Sequence, residues 1–227
     1  MERKIITTAD GSKTIQLVDL DEQYHSLHGA LQESEYVFIK QGLQHVIQDK
    51  HNQTNSISIL EIGFGTGLNA MTTLAKTKNC QTPISYVGVE AYPISAEEVL
   101  ELNYNNLFLD ANINELYKDI HSCSWEKPVK ITPYFTLEKQ QKSFNEIADK
   151  NVYNLIYFDA FGPRIQPELW IESVFKTMFD SLKEDGVLVT YSAKGSVRRA
   201  MQSVGFLVEK LPGPPGKREM LRALRGS

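Results

Sequence analysis

Cysteine is scarce: Cys80 and Cys123 are the only two among 227 residues. Two thiols make neither a disulfide framework nor a zinc site, so they read as ordinary thiols in a reducing compartment, and no metal site is expected. Long apolar runs are missing as well. No stretch approaches the roughly 20 residues that cross a bilayer, and the opening Met1-Glu2-Arg3-Lys4-Ile5-Ile6 lacks the apolar region of a signal peptide. These absences predict a cytoplasmic chain with no membrane partner. Internal repeats and low-complexity segments are also absent. Hydrophobic residues at 41% and charged residues at 23% are ordinary for a globular chain that buries its own core.

A large excess of one charge is lacking too, with a formal net charge of −4, but the charge is unevenly placed. From Lys194 onward eight basic residues face two acidic ones, a net +6 that leaves −10 on the preceding residues. A basic tail on an acidic body can present a phosphate-binding face. It can equally be solubilising charge on a helix and an edge strand.

The hydrophobic periodicity predicts alternating strands and helices. Thr14–Val18 alternates like a short strand after an Asp10-Gly11 turn, and Tyr36–Ile47 has helical spacing. A polar loop is expected over 49–56. Strands then follow at Ile57–Ile62, Ile84–Glu90, Val129–Phe135 (interrupted by Pro133), Tyr153–Phe158 and Val187–Tyr191. Helices are expected at Leu68–Lys78, after the Ser95/Glu98 capping box, at Pro167–Leu182, and at Ser196–Val204. Phe206–Leu211 and Glu219–Leu224, with no helix between them, predict an antiparallel hairpin at the sheet edge. The fold class is α/β: a mostly parallel sheet with helices on both faces. Residues 1–52 read as a small N-terminal extension packing on a domain over 53–227.

Ligands of open parallel sheets bind beyond the carboxyl ends of the strands. Three candidate groups sit at such ends. Gly63, Gly65 and Gly67 follow one strand and open a helix, where glycine lets a loop turn tightly and a ligand approach the backbone. A dinucleotide fingerprint would place the third glycine at position 68, which is leucine here. The pattern Glu61-Ile62-Gly63-Phe64-Gly65-Thr66-Gly67 instead resembles motif I of class I methyltransferases, whose loop wraps the methionine part of S-adenosylmethionine. Glu90, at the end of the next strand, suits ribose hydroxyls, since a carboxylate offers two acceptor oxygens; a solvated strand-end acid is the alternative. Asp159, in Asp159-Ala160-Phe161-Gly162-Pro163, can accept an N–H of an attacking amine and take up its proton, or serve only as a turn aspartate. Phe161 can wall a planar base.

Taken together the motifs resemble the methyltransferase domain of the MnmC family, including its stand-alone MnmD form. The resemblance spans Leu20–Ser26, Leu31–Phe38, Leu60–Asn69, Asp159–Pro163, Pro167–Trp170, Thr190–Ala193, Val197–Arg199 and Gly216–Met220. It implies a Rossmann-like class I methyltransferase that uses S-adenosylmethionine to methylate the 5-aminomethyl group of the wobble (2-thio)uridine in tRNA. It implies a cofactor site from Glu61, Gly63, Phe64, Gly65, Thr66, Gly67, Asn69, Glu90 and Asp159, with Glu33 and Ser34 helping to close it. Asp159 is the catalytic residue. Tyr24, Phe161, Gly162, Pro163, Arg198, Lys217 and Arg218 are expected on the substrate side, with Lys217 and Arg218 contacting tRNA or shaping the active site beside Phe161. The partner is the tRNA anticodon region, with the enzymes that install the aminomethyl group as functional partners.

Two departures from the family pattern stand out. Its bifunctional members carry a flavin-dependent oxidase domain after this one; the sequence ends at Ser227, so no flavin is expected. The Gly-Asp that often follows the third core strand is replaced by Thr136-Leu137-Glu138, which puts the adenine contact on backbone near Leu137 or on Glu138. Three other readings compete: a small-amine methyltransferase, in keeping with the acidic charge; a nicotinamide oxidoreductase, disfavoured by the glycine spacing; and a non-catalytic tRNA-binding subunit.

Overall fold

The computed structural model describes residues 2–48, 55–104, 107–108 and 110–226. Most of the loop expected at 49–56, and the boundary expected between 52 and 53, lie outside the described residues.

The chain opens with three strands, β1 (Arg3–Thr7), β2 (Lys13–Leu17) and β3 (Glu22–Gln23), paired antiparallel in the order β1-β2-β3. The helix that follows is continuous in three windings: α1 (Ala30–Glu33), a π-helical stretch Ser34–Leu43, and α2 (Gln44–Gln48). Val37, Phe38 and Leu43 of this helix are buried together with Tyr157 and Val189 of the main sheet. This helix thus shares one core with the main sheet.

The main sheet is built from β4 (Ile57–Ile62), β5 (Ile84–Val89), β6 (Val129–Thr132), β7 (Phe135–Gln140), β8 (Tyr153–Phe158), β9 (Leu182–Thr190), β10 (Leu207–Pro212) and β11 (Glu219–Leu224). Their order is β10-β11-β9-β8-β4-β5-β7-β6. The five strands from β9 to β7 pair in parallel, and β11 and β10 add antiparallel at one edge, as the missing helix between them predicts. Central strands carry apolar residues without alternation because both faces are covered: every residue of β8 is buried. The helices are α3 (Leu68–Thr77), α4 (Ala96–Leu102), α5 (Ala111–Ser122), α6 (Glu172–Ser181) and α7 (Gly195–Ser203). Ser95 caps α4, taking the Glu98 N–H at 3.2 Å while its own N–H donates to Glu98 Oε2 at 2.7 Å.

Three local expectations differ. Val129–Phe135 is not one strand: Pro133-Tyr134 turns the chain, so β6 pairs antiparallel with β7 at the other edge, and β7 is the strand that enters the parallel sheet. The helix expected from Pro167 is a short 3-10 turn, Pro167–Trp170, broken at the extended Ile171 before α6. β9 begins at Leu182, ahead of Asp185-Gly186, which sit in a bulge opposite β8 with Asp185 at φ 58°. β1 and α5 are not among the expected elements, although Ile113, Leu116, Tyr117 and Ile120 of α5 recur at helical spacing and pack into the core. Among the described residues, no helix is long and apolar enough to cross a membrane.

Candidate active site

The carboxyl ends of β4, β5, β7 and β8 open onto a cleft of about 940 Å³. That volume is in the range of pockets that enclose a ligand of cofactor size. The glycine loop forms its floor. Gly63 has φ +87°, and a Cβ there would lie 2.7 Å from the Asp159 carbonyl oxygen. At Gly65, φ +50°, a Cβ would meet the Tyr24 ring at 3.1 Å. Glycine therefore lets the loop lie against both the end of β8 and the extension. The N–H groups of Gly63 and Phe64 both donate to the Val89 carbonyl at 3.0 Å, tying the loop to β5.

Glu90 stands at the mouth of the cleft. Its Oε2 accepts the Gly65 N–H at 3.0 Å and its Oε1 the Tyr92 N–H at 2.9 Å. Two backbone donors fix the carboxylate, and each oxygen keeps a second lone pair for a diol. Glu90→Ala is expected to weaken S-adenosylmethionine binding by about tenfold or more, measured by calorimetry, with little loss of thermal stability.

Asp159 is oriented by a buried network. Asn69, 2% exposed, donates its amide to Asp159 Oδ2 and to Glu61 Oε1, both at 2.8 Å. Its Oδ1 accepts the Ser34 hydroxyl at 2.7 Å, which sets the amide orientation. Tyr86 donates to the other Glu61 oxygen at 2.8 Å. Burial pushes Glu61 up to about 8. Burial, then the neighbouring Glu33 and Glu61 charges, hold the Asp159 carboxyl well above the usual range, against the Asn69 hydrogen bond and the Lys217 charge. An acid with a raised pKa beside a cleft is a common mark of proton-handling chemistry.

A second cavity of about 670 Å³ adjoins the cleft; Tyr24, His25 and Tyr191 line both. Tyr24 meets Phe161 edge to face at 5.0 Å, and the Tyr191 hydroxyl donates to the Ala160 carbonyl at 2.8 Å. Exposed Arg164, Lys194 and Arg218 surround the mouth of the second cavity.

The expected site residues divide accordingly. Gly63, Phe64, Gly65, Thr66, Asn69, Glu90, Asp159, Tyr24 and Phe161 line the cleft. Gly162, Pro163, Lys217 and Arg218 line the second cavity, and so does Glu33, which is placed there and not on the cofactor side. Glu61, Ser34 and Gly67 lie behind the cleft wall. Glu61 is fully buried with both oxygens engaged, so it supports Asn69 and does not line the cleft. The contact expected at Leu137 does not hold: Leu137 is mid-strand in β7, fully buried against the core and paired with Tyr86 of β5. The strand runs on to Gln140, so the cleft wall on that side is Ser143, Phe144 and Asn145. Arg198 is corrected too: it lies on α7, lines neither cavity, and has its Nε buried without a hydrogen-bond partner.

Arg3 also lines the cleft, held by Glu98 Oε2 at 3.0 Å and the Tyr92 carbonyl at 3.1 Å. Nothing in its local sequence signals this, because the contact arises from folding β1 over α4. Among the described residues, no group of three or more His, Cys, Asp or Glu side chains is arranged to hold a metal ion.

Two histidines, buried His25 and half-buried His121, grip Thr66 of the loop. His121 Nε2 lies 3.1 Å from its carbonyl, and His25 Nε2 lies 3.5 Å from its hydroxyl. Burial pushes both down to about 4 from the ordinary 6.5. A histidine that binds its proton more weakly when folded contributes stability that is full above pH 6.5 and is lost as pH falls through 4. Glu61 acts in the opposite sense: its contribution is present below pH 4.5 and lost as pH rises through about 8. The melting temperature of His121→Gln is therefore expected to approach that of the unsubstituted chain as pH falls from 6.5 to 4. A constant gap between the two melting curves would count against this account.

Comparison with known proteins agrees with this geometry. A family model described as S-adenosyl-L-methionine-dependent methyltransferase matches residues 137–226. The fold is that of the class I methyltransferases. It superposes on a solved structure of MNMC2 from Aquifex aeolicus with a TM-score of 0.79 and 24% identity, covering 100% of this chain and 71% of that one. It also superposes on spermidine synthase from Thermotoga maritima with a TM-score of 0.62 and 15% identity, covering 99% and 69%. In sequence the chain is similar to proteins named tRNA 5-methylaminomethyl-2-thiouridine biosynthesis bifunctional protein MnmC. The one from Paraburkholderia phymatum is 28% identical over 88% of this chain, and the one from Leptospira interrogans is 29% identical over 88%. These similarities set the chain beside the MnmC proteins in sequence and fold. The chain spans about a third of the length of these relatives, 32% in each case.

Proposed function

We propose that the chain transfers a methyl group from S-adenosylmethionine to the amine of 5-aminomethyluridine, with or without 2-thiolation, at the wobble position of tRNA. The product is 5-methylaminomethyl(-2-thio)uridine. One observation carries this reading: Asp159 lines a cofactor-sized cleft that shares Tyr24, His25 and Tyr191 with a second cavity rimmed by exposed basic residues. The relatives' printed names point to the same modification.

The residues present fit the cofactor. Gly63 and Gly65 line the cleft with bare backbone, Glu90 presents two anchored carboxylate oxygens for a ribose, and Phe144 and Asn145 wall the far side. When bound, S-adenosylmethionine supplies an electrophilic methyl whose C–S bonding pair returns to sulfur. The protein's part is placement and proton handling. Phe161 and Tyr24 hold the uracil ring, and Asp159 accepts one N–H of the neutral amine so that its lone pair faces the methyl. As the N–C bond forms, the surplus proton leaves for Asp159 or for water. In this reading residues 1–52 act as an extension that closes the site, the chain works in the cytoplasm, and other enzymes supply the aminomethyl group.

The test is nucleoside mass spectrometry of tRNA from cells lacking the terminal methylation, after incubation with the protein and S-adenosylmethionine. A mass gain of one methyl on 5-aminomethyluridine is expected; unchanged tRNA from a protein that binds S-adenosylmethionine would sink the acceptor assignment. Lys194→Ala with Arg218→Ala is expected to weaken tRNA binding far more than cofactor binding. Each lost phosphate contact should lower the slope of log affinity against log salt by about one.

A further inference from the structure

Lys217 precedes β11 in a basic run, but its ammonium is turned inward. It is ion-paired with Glu33, whose side chain is 8% exposed, and it sits 3.9 Å above the centre of the Tyr191 ring. Glu33 is itself fixed, since its Oε2 accepts the Ser26 N–H at 2.8 Å. Tyr191 is fixed by its bond to the carbonyl of Ala160, the residue after Asp159. An aromatic face and a carboxylate together hold a partly desolvated ammonium well. Lys217 thus bridges the N-terminal extension and the C-terminal loop beside the catalytic carboxyl.

The groups that act on Asp159 come from several elements. Glu33 of α1 and Glu61 of β4 oppose its ionisation, while Asn69 of α3 and Lys217 favour it. Tyr86 of β5 and Tyr191 feel its charge, and His25 stands within the influence of Glu33 and Lys217. The carboxyls crowd one another, and Lys217 supplies the opposing charge.

We propose that Lys217 is a positioning residue whose ammonium, locked between Glu33 and Tyr191, serves as the internal counter-charge that favours the ionised form of Asp159 beside the acceptor amine, and is not a contact to tRNA phosphate. This rests on the role given to Asp159 above. The loop carrying Arg218 is thereby joined to the catalytic centre: Arg218 faces outward to the nucleic acid while its neighbour sets the charge inside.

The experiment follows the Asp159 carboxyl directly, by carbon NMR of aspartate-labelled protein across pH, in the unsubstituted chain, Lys217→Met and Lys217→Arg. The pH dependence of single-turnover methylation of tRNA bearing 5-aminomethyluridine is measured alongside. Lys217→Met should raise the Asp159 midpoint by about one pH unit or more and move the acidic limb of the rate profile with it. Lys217→Arg should restore both, and tRNA affinity and its salt dependence should stay unchanged. An unmoved midpoint, or a lower salt slope with an unmoved rate profile, would overturn the proposal. Glu33→Gln provides an independent arm if Lys217→Met does not fold: it removes an opposing carboxylate and should lower the midpoint, and no change there also overturns the proposal. Asp159→Ala separates the two levels. If it retains full transfer, the reading of Asp159 fails; if it is inactive while Lys217→Met titrates like the unsubstituted chain, the counter-charge alone is wrong.

Discussion

Asp159→Ala is expected to lower methyl transfer by about 10²- to 10⁴-fold, the contribution typical of a positioned acid or base, while S-adenosylmethionine binding and the fold persist. The expectation that the fold survives comes from the surroundings of the residue. Its carboxyl lies near Glu33 and Glu61, which oppose its ionisation, so removing it relieves repulsion. The cost is one amide hydrogen of Asn69 left without its 2.8 Å acceptor, roughly 1–3 kcal/mol. The amide keeps its bonds to Glu61 and Ser34, so the loop behind it stays in place. Asp159→Asn sharpens the test, since an amide oxygen still accepts an N–H but takes up no proton. Single-turnover rates together with cofactor affinity decide the outcome: full activity in the alanine variant would remove Asp159 from the chemistry.

Gly63→Ala is expected to damage both the fold and the site. The backbone has φ +87° there, a region costly to any residue with a Cβ, and the new methyl would lie 2.7 Å from a backbone carbonyl that has nowhere to move. That carbonyl belongs to Asp159, so the clash pushes the glycine loop and the end of β8 apart. Strain of this kind costs roughly 2–4 kcal/mol, or a melting temperature about 5–15 °C lower for a chain of this size. Cofactor affinity should fall by more than the stability loss implies, because Gly63 and Asp159 line the same cleft. Thermal unfolding with and without S-adenosylmethionine measures both. A variant that melts normally and still gains its full ligand-induced stabilisation would contradict the close approach on which the site depends.

Much of this architecture is legible before folding, and for identifiable reasons. The short apolar runs Ile57–Ile62 and Tyr153–Phe158 announce buried parallel strands because both faces of such strands are covered. The lack of a helix between residues 207 and 224 announces the antiparallel edge, since a parallel return would need a crossover. Glycine at 63 and 65 and acids at 90 and 159, all at strand ends, mark the cleft, because an open sheet binds ligands at those ends. Register is harder to read. Pro133 and Tyr134 make a turn and not an interruption, so the strand facing the cleft is displaced toward Gln140, and Leu137 falls in the core instead of at the rim.

By itself, then, the sequence determined the layer order, the glycine loop after β4 and the carboxyl at the end of β8, since each depends on local periodicity or on a residue type placed at a strand end. Tertiary structure alone decided which charges meet. Glu33 and Lys217 are 184 positions apart, and their pairing beside Asp159 exists only because the extension and the C-terminal loop fold onto the same face. The same holds for Arg3 at the cleft and for the two histidines on Thr66. Coulombic and desolvation effects depend on distance and burial in space, which separation along the chain does not encode.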